Sequence, residues 1–361
     1  MKNKYIIRPR EAHDDREFID MRRKVFGDFE EFVSLRHKVF GDDAEFIDFF
    51  DDCFRDEYLD FLIIENQNGK EVLQAALTQF EMGKLVVPGG KKSELGGKPI
   101  EMSYAICTDP AARGKGYGSH ITVYAREIAE SSRKLSMLSP AEPSLVDFYE
   151  HLEYKKFMYA EQGIVEFEDM KIFNAFNINS SPSHINDIIP NTVCDSISRS
   201  VCCIYSNFDA TNLCFDSITA EKYNEYREYI LKDRTHIKLS QGALQFVVDS
   251  TIDGTGMILI SDGTTSEPLG IASCSASEKP DALDISELLT FNQAGGDLDL
   301  GLFLCKALAM RYRKCICEYM MPSDKCSKTA IALGLISTKS DEITALCNSS
   351  LYKYPPYMGF T

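Results

Sequence analysis

The stretch of this sequence best equipped for chemistry is Arg113-Gly114-Lys115-Gly116-Tyr117-Gly118, in which three glycines alternate with larger residues. The run before it, residues 100–107, is apolar and strand-like. After it the pattern turns helical, with Ile121, Tyr124, Ala125, Ile128 and Ala129 at i, i+3, i+4, i+7 and i+8. A strand, a bare loop and a helix start bring backbone N–H groups and the positive end of a helix to one point. Such a point suits a phosphate or diphosphate. Arg113 and Lys115 add charge to it. A Walker A loop is excluded, because no G-x-x-x-x-G-K-[ST] occurs there. A dinucleotide fingerprint is excluded too, because its third glycine would fall on Ser119 or Ile121.

The loop does fit [Q/R]-x-x-G-x-[G/A] read from Arg113. The ungapped string Tyr104-Ala105-Ile106-Cys107-Thr108-Asp109-Pro110-Ala111-Ala112-Arg113-Gly114-Lys115-Gly116-Tyr117-Gly118-Ser119 resembles the fourth strand, acyl-CoA loop and third helix of the GNAT superfamily of N-acetyltransferases. Further on, Phe148-Tyr149-Glu150-His151-Leu152-Glu153-Tyr154 resembles that superfamily's F-Y-x-x-x-G-F signature, with Glu153 where glycine is usual. A distorted turn is expected there. The resemblance covers about residues 4–165.

The resemblance implies acetyl-CoA as co-substrate and no metal. It assigns the diphosphate to Gly114, Lys115, Gly116, Tyr117, Gly118 and Ser119, with a lesser part for the Arg113 side chain. It assigns the pantetheine arm and the thioester carbonyl to the backbone of Ile106, Cys107 and Thr108. The reaction it implies is direct attack of a neutral amine on the thioester, which needs a base for the amine and an acid for the leaving thiolate. Tyr149 matches the tyrosine that often serves as that acid, its bland alternative being a packed aromatic. Glu101 begins the strand that carries the base in some relatives. Its alternative is an edge carboxylate, and alternation puts it on one face with Ser103 and Ala105. Cys107 has no histidine close in sequence, so a small buried hydrophobe describes it better than a nucleophile.

These residues need a scaffold, and its elements can be read in chain order. A strand covers residues 5–8. Met21-Arg22-Arg23-Lys24-Val25-Phe26-Gly27-Asp28 then returns as Leu35-Arg36-His37-Lys38-Val39-Phe40-Gly41-Asp42, a period of fourteen that is close to four helical turns. We read a duplicated amphipathic helix. The acidic run Asp42, Asp43, Glu45, Asp48, Asp51, Asp52, Asp56, Glu57 comes next, either a solvated helix face or an attractor for a cationic acceptor. Strands at 59–65 and 72–80 flank the turn Asn66-Gln67-Asn68-Gly69. A strand at 135–139 runs parallel to 100–107, as a strand–helix–strand crossover requires. Residues 145–152 form a short helix, with a strand from Tyr154.

Residues 166–216 read as a connecting region. From 217 to 361 the order repeats: helices at 220–231 and 240–248, strands at 256–261, 269–273 and 283–291, a helix at 298–313 and a strand at 314–320. Gln293-x-x-Gly296-x-Leu298 nearly repeats the acyl-CoA loop, but Asp297 and Asp299 would repel phosphate. The fold class expected is therefore α+β: a GNAT fold, a mixed central sheet flanked by helices, in tandem. An acetyltransferase domain occupies 1–165 and a degenerate copy without a cofactor site occupies 217–361. The whole chain resembles the tandem acetyltransferases found in bacteria.

Length and composition agree with this. The 361 residues suit two ordinary domains. The net charge of -16 argues against nucleic-acid and anionic-membrane partners, since affinity for phosphate backbones comes from clustered Lys and Arg. Twelve scattered cysteines without C-x-x-C fit buried thiols in a reducing, cytoplasmic setting better than zinc or disulfides. The first residues are too polar for a signal peptide, and no apolar run reaches the length of a membrane span. The acceptor expected is a small-molecule amine or a peptide, and a homodimer is compatible with the sequence. Two other readings stay open: an acyl-CoA-binding sensor or scaffold without turnover, and aminoacyl transfer from charged tRNA.

Overall fold

The computed structural model describes residues 5–26, 53–54, 58–88, 95–141, 143–166, 213–252, 256–277, 279–292, 295–322 and 331–337. The chain divides into two compact units, and they are not simple halves of the sequence. The first comprises Met1–Met158, His236–Phe246 and Ala332–Leu351, and the second Tyr159–Thr235, Val247–Ile331 and Tyr352–Thr361.

The first unit opens with β1 (Tyr5–Pro9) and α1 (Asp15–Phe26). β2 (Tyr58–Gln67), β3 (Lys70–Val86) and β4 (Pro99–Thr108) continue an antiparallel sheet in the order β1-β2-β3-β4. Asn68 and Gly69 make the β2–β3 turn with φ of 56° and 85°, the left-handed pair that a two-residue hairpin demands. α2 (Tyr117–Ser131) then crosses over to β5 (Leu135–Leu138), which lies parallel to β4. α3 (Val146–His151) and the start of β6 (Tyr154–Glu166) complete this part of the chain.

β2 is buried on both faces, and its period-two alternation feeds two cores. Phe61 and Ile63 join Ile121 and Ala125 beneath α2, while Leu62 and Ile64 join Phe18 and Met21 beneath α1. Each fully buried side chain of this size contributes about 1.5–3 kcal/mol. The helical face read from the spacing of Ile121, Tyr124, Ala125, Ile128 and Ala129 is the face of α2 that packs on the sheet.

The first copy of the duplicated segment lies in α1 as far as Phe26, and its last two residues and the second copy lie outside the described residues. α1 is fixed by more than its apolar stripe. Arg22 donates to Thr78, which donates to Asp60, and Arg10 holds the same carboxylate at 2.7 Å. Both guanidinium groups lie over the Phe18 ring, at 5.0 and 4.4 Å.

The second unit repeats the plan. β7 (Leu213–Ser217) is followed by α4 (Ala220–Leu231). β8 (His236–Leu239) and the first part of α5 (Gln241–Ser250) belong to the first unit. There β8 pairs with Gly83–Val86 of β3, and the Ser240 hydroxyl donates to Glu81 O at 2.8 Å while capping Ala243 N at 3.1 Å. The second unit continues with β9 (Met257–Asp262), β10 (Pro268–Ala276), β11 (Ala282–Thr290), α6 (Leu298–Tyr312) and β12 (Ile316–Pro322). Its sheet runs β7-β9-β10-β11, antiparallel, then β12 parallel to β11, with Ala160–Glu166 of β6 antiparallel to β12. β13 (Ile331–Ser337) returns to pair with β5 in the first unit. Three strands were not expected from the sequence: β8, β13 and β7, the last of which begins inside the expected connecting region. The segment Cys202-Cys203, every acidic residue of the run from Asp42 to Glu57, and the C-terminal 354–361 lie outside the described residues.

One buried carboxylate in the second unit makes its stability depend on pH. Asp284 of β11 stands opposite Glu318 of β12, and burial, then the charge of Glu318, pushes its carboxyl up to about 6. An unfolded Asp titrates near about 3.9. The folded chain therefore holds the proton more tightly, and this group's favourable contribution is complete below about pH 4 and lost as pH rises through about 6. Asp284→Asn is expected to stabilise the protein at pH 7 by about 2–3 kcal/mol. The check is a pair of urea titrations, at about pH 4.5 and about pH 7.5: the gain over wild type should be small at the lower pH and grow toward the higher.

Candidate functional site

The site is built where β4 leaves its neighbours. Ile100–Ser103 pair with Leu135–Leu138 of β5, and the pairing stops there. On the other side, Tyr104 lies opposite Thr78 and Cys107 opposite Ala76, so Ala105 and Ile106 together face one residue of β3. Ala105 takes φ 49°. This is a β-bulge, which bends its strand and re-aims the residues C-terminal to it. The pairing of β4 with β5 ends at Ser103, so Ala105–Thr108 have no β5 partner among the described residues.

Tyr149 stands at the parting of the strands. It is buried in one cluster with Leu138, the last residue of β5, and with Ile106, just past the bulge. Its ring meets Phe148 at 5.1 Å and Tyr154 at 6.4 Å. Burial pushes its phenol up, so the hydroxyl keeps its proton.

Beyond β4, Asp109 accepts from Ala111 N at 2.8 Å and is held by Lys24 of α1 at 2.6 Å. The loop then runs with Gly114 at φ 79° and Gly116 at φ 82°. Gly116 is the N-cap of α2, and the first helical bond is His120 N to Gly116 O at 3.0 Å. The N–H groups of Tyr117, Gly118 and Ser119 open α2 and have no acceptor within the helix, because its first bond is made by His120 N. Space is open as well: a Cβ on Gly114 would meet nothing within 4 Å. Arg113 is exposed, and Lys115 leans toward Glu65 at 3.7 Å. The buried Tyr117 anchors the loop to the core. Thr108 and Gly118 meet across it, the hydroxyl lying 3.5 Å from where a Cβ on Gly118 would be. Helix-start donors beside a cationic rim fit a diphosphate.

The residues Ile106, Cys107, Thr108 and Arg113 to Ser119 thus form one continuous strip, and Tyr149 joins it at Ile106. Glu101 is elsewhere. It sits in the zipped part of β4, opposite Ser136 of β5, and bonds Lys134, which also holds Glu81 at 3.2 Å. Burial pushes its carboxyl up against the pull of Lys134, and Glu81 adds to the rise. The Cys107 thiol packs with Phe18, Met21 and Ala76, and burial pushes it up to about 11. It is a core side chain on a strand whose backbone faces the opening. Glu153 holds the left-handed turn expected of glycine, at φ 66°. The turn keeps its shape because Arg126 binds the Glu153 carboxylate at 3.0 Å and Leu152 O at 2.6 Å.

The second unit carries the same β–loop–α arrangement, with the N–H groups of Gly295, Asp297 and Leu300 already bonded. β11 pairs with β12 over Ala282–Ile285 only. In the stretch beyond, Glu287 is fully buried, accepting from Tyr223 at 2.9 Å and Arg227 at 3.2 Å. In the loop, Gly295 N donates to Asn292 O at 3.0 Å and Asp297 N to Thr290 Oγ1 at 3.1 Å. The Asp297 carboxylate caps α6 through Leu300 N at 3.1 Å. A carboxylate already occupies the position an anion would take.

No protein-family model matches this sequence, and no curated protein matches it. Solved structures do match. A probable N-acyltransferase from Enterococcus faecalis V583 aligns over 92% of this chain and 72% of its own, at 8% identity and a TM-score of 0.55. A GCN5-related N-acetyltransferase from Kribbella flavida covers 92% and 71%, at 11% identity and a TM-score of 0.52. One from Anabaena variabilis covers 92% and 72%, at 13% and 0.51. The likeness is one of fold: this chain has the α+β GNAT fold, repeated in two units, as its sequence resemblance implied. Among the described residues no helix is long and apolar enough to cross a membrane. No group of three His, Cys, Asp or Glu among them could hold a metal.

Proposed function

We propose that the protein is an acyl-CoA-dependent N-acyltransferase, using acetyl-CoA and a primary amine, with its one coenzyme site in the first unit. The observation that supports this best is the strip of backbone that runs from Ala105–Thr108 of β4, beyond its last β5 partner, to the N–H groups of Tyr117, Gly118 and Ser119 that open α2. Acetyl-CoA supplies an activated thioester when bound. In this reading the loop N–H groups hold the diphosphate, and the β4 edge at Ile106 to Thr108 takes the extended arm as an added strand would be taken. The Tyr149 hydroxyl keeps a proton ready for the leaving sulfur, and the apolar cluster around it excludes water. Glu101 is the β4 carboxylate to which the base role falls, and its ion pair with Lys134 must open for it to act. The acceptor is an amine of a small molecule or a peptide, attacking directly. The setting is the cytoplasm, and a homodimer is compatible with the reading.

Isothermal titration with acetyl-CoA, followed by free-thiol release over a panel of amines and basic peptides, tests it. Micromolar binding with amine-dependent release is the expected result. Binding without release from any amine would leave a sensor or scaffold, and absence of binding would overturn both.

A further inference from the structure

His120 is a polar side chain beside the loop, and neither the diphosphate cradle nor the acid–base chemistry uses it. It lies on the first turn of α2 and is exposed. Its ring is held from the side by β1: it stacks on Tyr5 with centroids 5.5 Å apart and planes at 17°. Tyr5 in turn packs edge-on against the buried Tyr117 at 5.4 Å. The Tyr5 hydroxyl lies 2.9 Å from His120 Nδ1. The opposite edge of the imidazole faces Gly116, with Cε1 3.5 Å and Nε2 3.8 Å from where a Cβ on that glycine would be. Nε2 bonds nothing among the described residues, and His120 has no carboxylate partner among them. Lys115, the other cationic side chain at this rim, leans toward Glu65 at 3.7 Å.

A neutral imidazole carries one proton, and the nitrogen that accepts a hydrogen bond leaves the proton on the other. With Tyr5 donating to Nδ1, the proton sits on Nε2, beside Gly116 and the N–H groups that open α2. We propose that His120 Nε2–H is a side-chain donor for a phosphate oxygen of the coenzyme, and that Tyr5 is the positioning residue that fixes its tautomer. This rests on the reading of the loop as a coenzyme site. It names a residue pair, one from β1 and one from α2, in which neither member lies on the strip formed by Ile106–Thr108 and Arg113–Ser119.

Titration of the full-length chain with CoA and with 3′-dephospho-CoA tests it, using wild type, His120→Ala, His120→Gln, Tyr5→Phe and Gly116→Glu. A lost hydrogen bond to a charged group predicts that His120→Ala weakens CoA binding about tenfold. His120→Gln, whose amide can present an N–H at a similar reach, recovers most of it, and Tyr5→Phe loses part of it. Equal losses for both ligands place the contact on the diphosphate. A loss confined to CoA places it on the 3′-phosphate. Either outcome supports the proposal. Wild-type affinity in His120→Ala overturns it, while a loss in Gly116→Glu in the same series leaves the loop reading standing. Wild-type affinity in Gly116→Glu overturns the loop reading itself. Imidazole nitrogen shifts of the free protein give a check that needs no ligand: a neutral His120 with its proton on Nδ1 overturns the role given to Tyr5.

Discussion

Gly116→Glu is expected to abolish measurable CoA binding while leaving the protein folded. Gly116 caps α2 in the left-handed region at φ 82°, which a side chain enters at a cost of about 1 kcal/mol. That cost is local and leaves both cores of the first unit untouched. The effect on the ligand is much larger. A carboxylate would stand beside the N–H groups of Tyr117, Gly118 and Ser119, which have no acceptor within α2. Charge-assisted hydrogen bonds contribute about 1.5–3 kcal/mol each, so losing two of them and adding repulsion weakens binding more than about a hundredfold. Calorimetric titration with a parallel melting curve reads both effects. Asp297→Ala is the matching change in the second unit. It removes the N-cap of α6, costs about 1 kcal/mol of stability and should leave CoA affinity as it is. Loss of CoA binding in that variant would mean that the second loop also takes coenzyme.

Tyr149→Phe should lower turnover about a hundredfold while acetyl-CoA affinity stays within about twofold, the range expected when a positioned acid is removed without touching the binding groups. The ring survives the change, so its packing with Leu138, Ile106 and Tyr154 is kept. Only the proton donor goes. The direction of the phenol's shift gives a second signature. Burial raises it, so the acid form persists to higher pH than in a free tyrosine and is lost only as pH rises through that raised value. Wild-type turnover should therefore show no alkaline decline assignable to Tyr149 below about pH 10. Thiol-release rates for both proteins across that range decide the matter. Equal turnover in the two would make Tyr149 a packed aromatic and nothing more.

The glycine-rich loop is legible in the sequence because its conformation is local. Glycines at alternate positions permit positive φ, a helix start leaves N–H groups without acceptors, and the spacing of Ile121, Ala125 and Ala129 says which face of α2 is buried. The closed second loop is legible for the same reason, since Asp297 both caps its helix and repels phosphate. Glu153 shows the limit of a motif: a non-glycine holds the left-handed turn, because Arg126, far along the chain, binds it.

What the order of residues does not contain is the pairing of distant strands. The bulge at Ala105 exists only as a register between β3 and β4, and the opening only as the point where β4 and β5 stop pairing. That point separates Glu101, zipped beside Ser136 and tied to Lys134, from Tyr149, which meets the strip at Ile106. The recruitment of β8 by the far end of β3, and the meeting of Tyr5 with His120, likewise join residues far apart in sequence. By itself the sequence determined the loop, its helix, the repeat of the plan and the acidic cap of the second loop, because φ preference, capping and periodicity act within a few residues. Tertiary structure alone decided where the sheet opens and which side chains stand at the opening, because strand register is settled by packing and hydrogen bonding between segments that no local pattern relates.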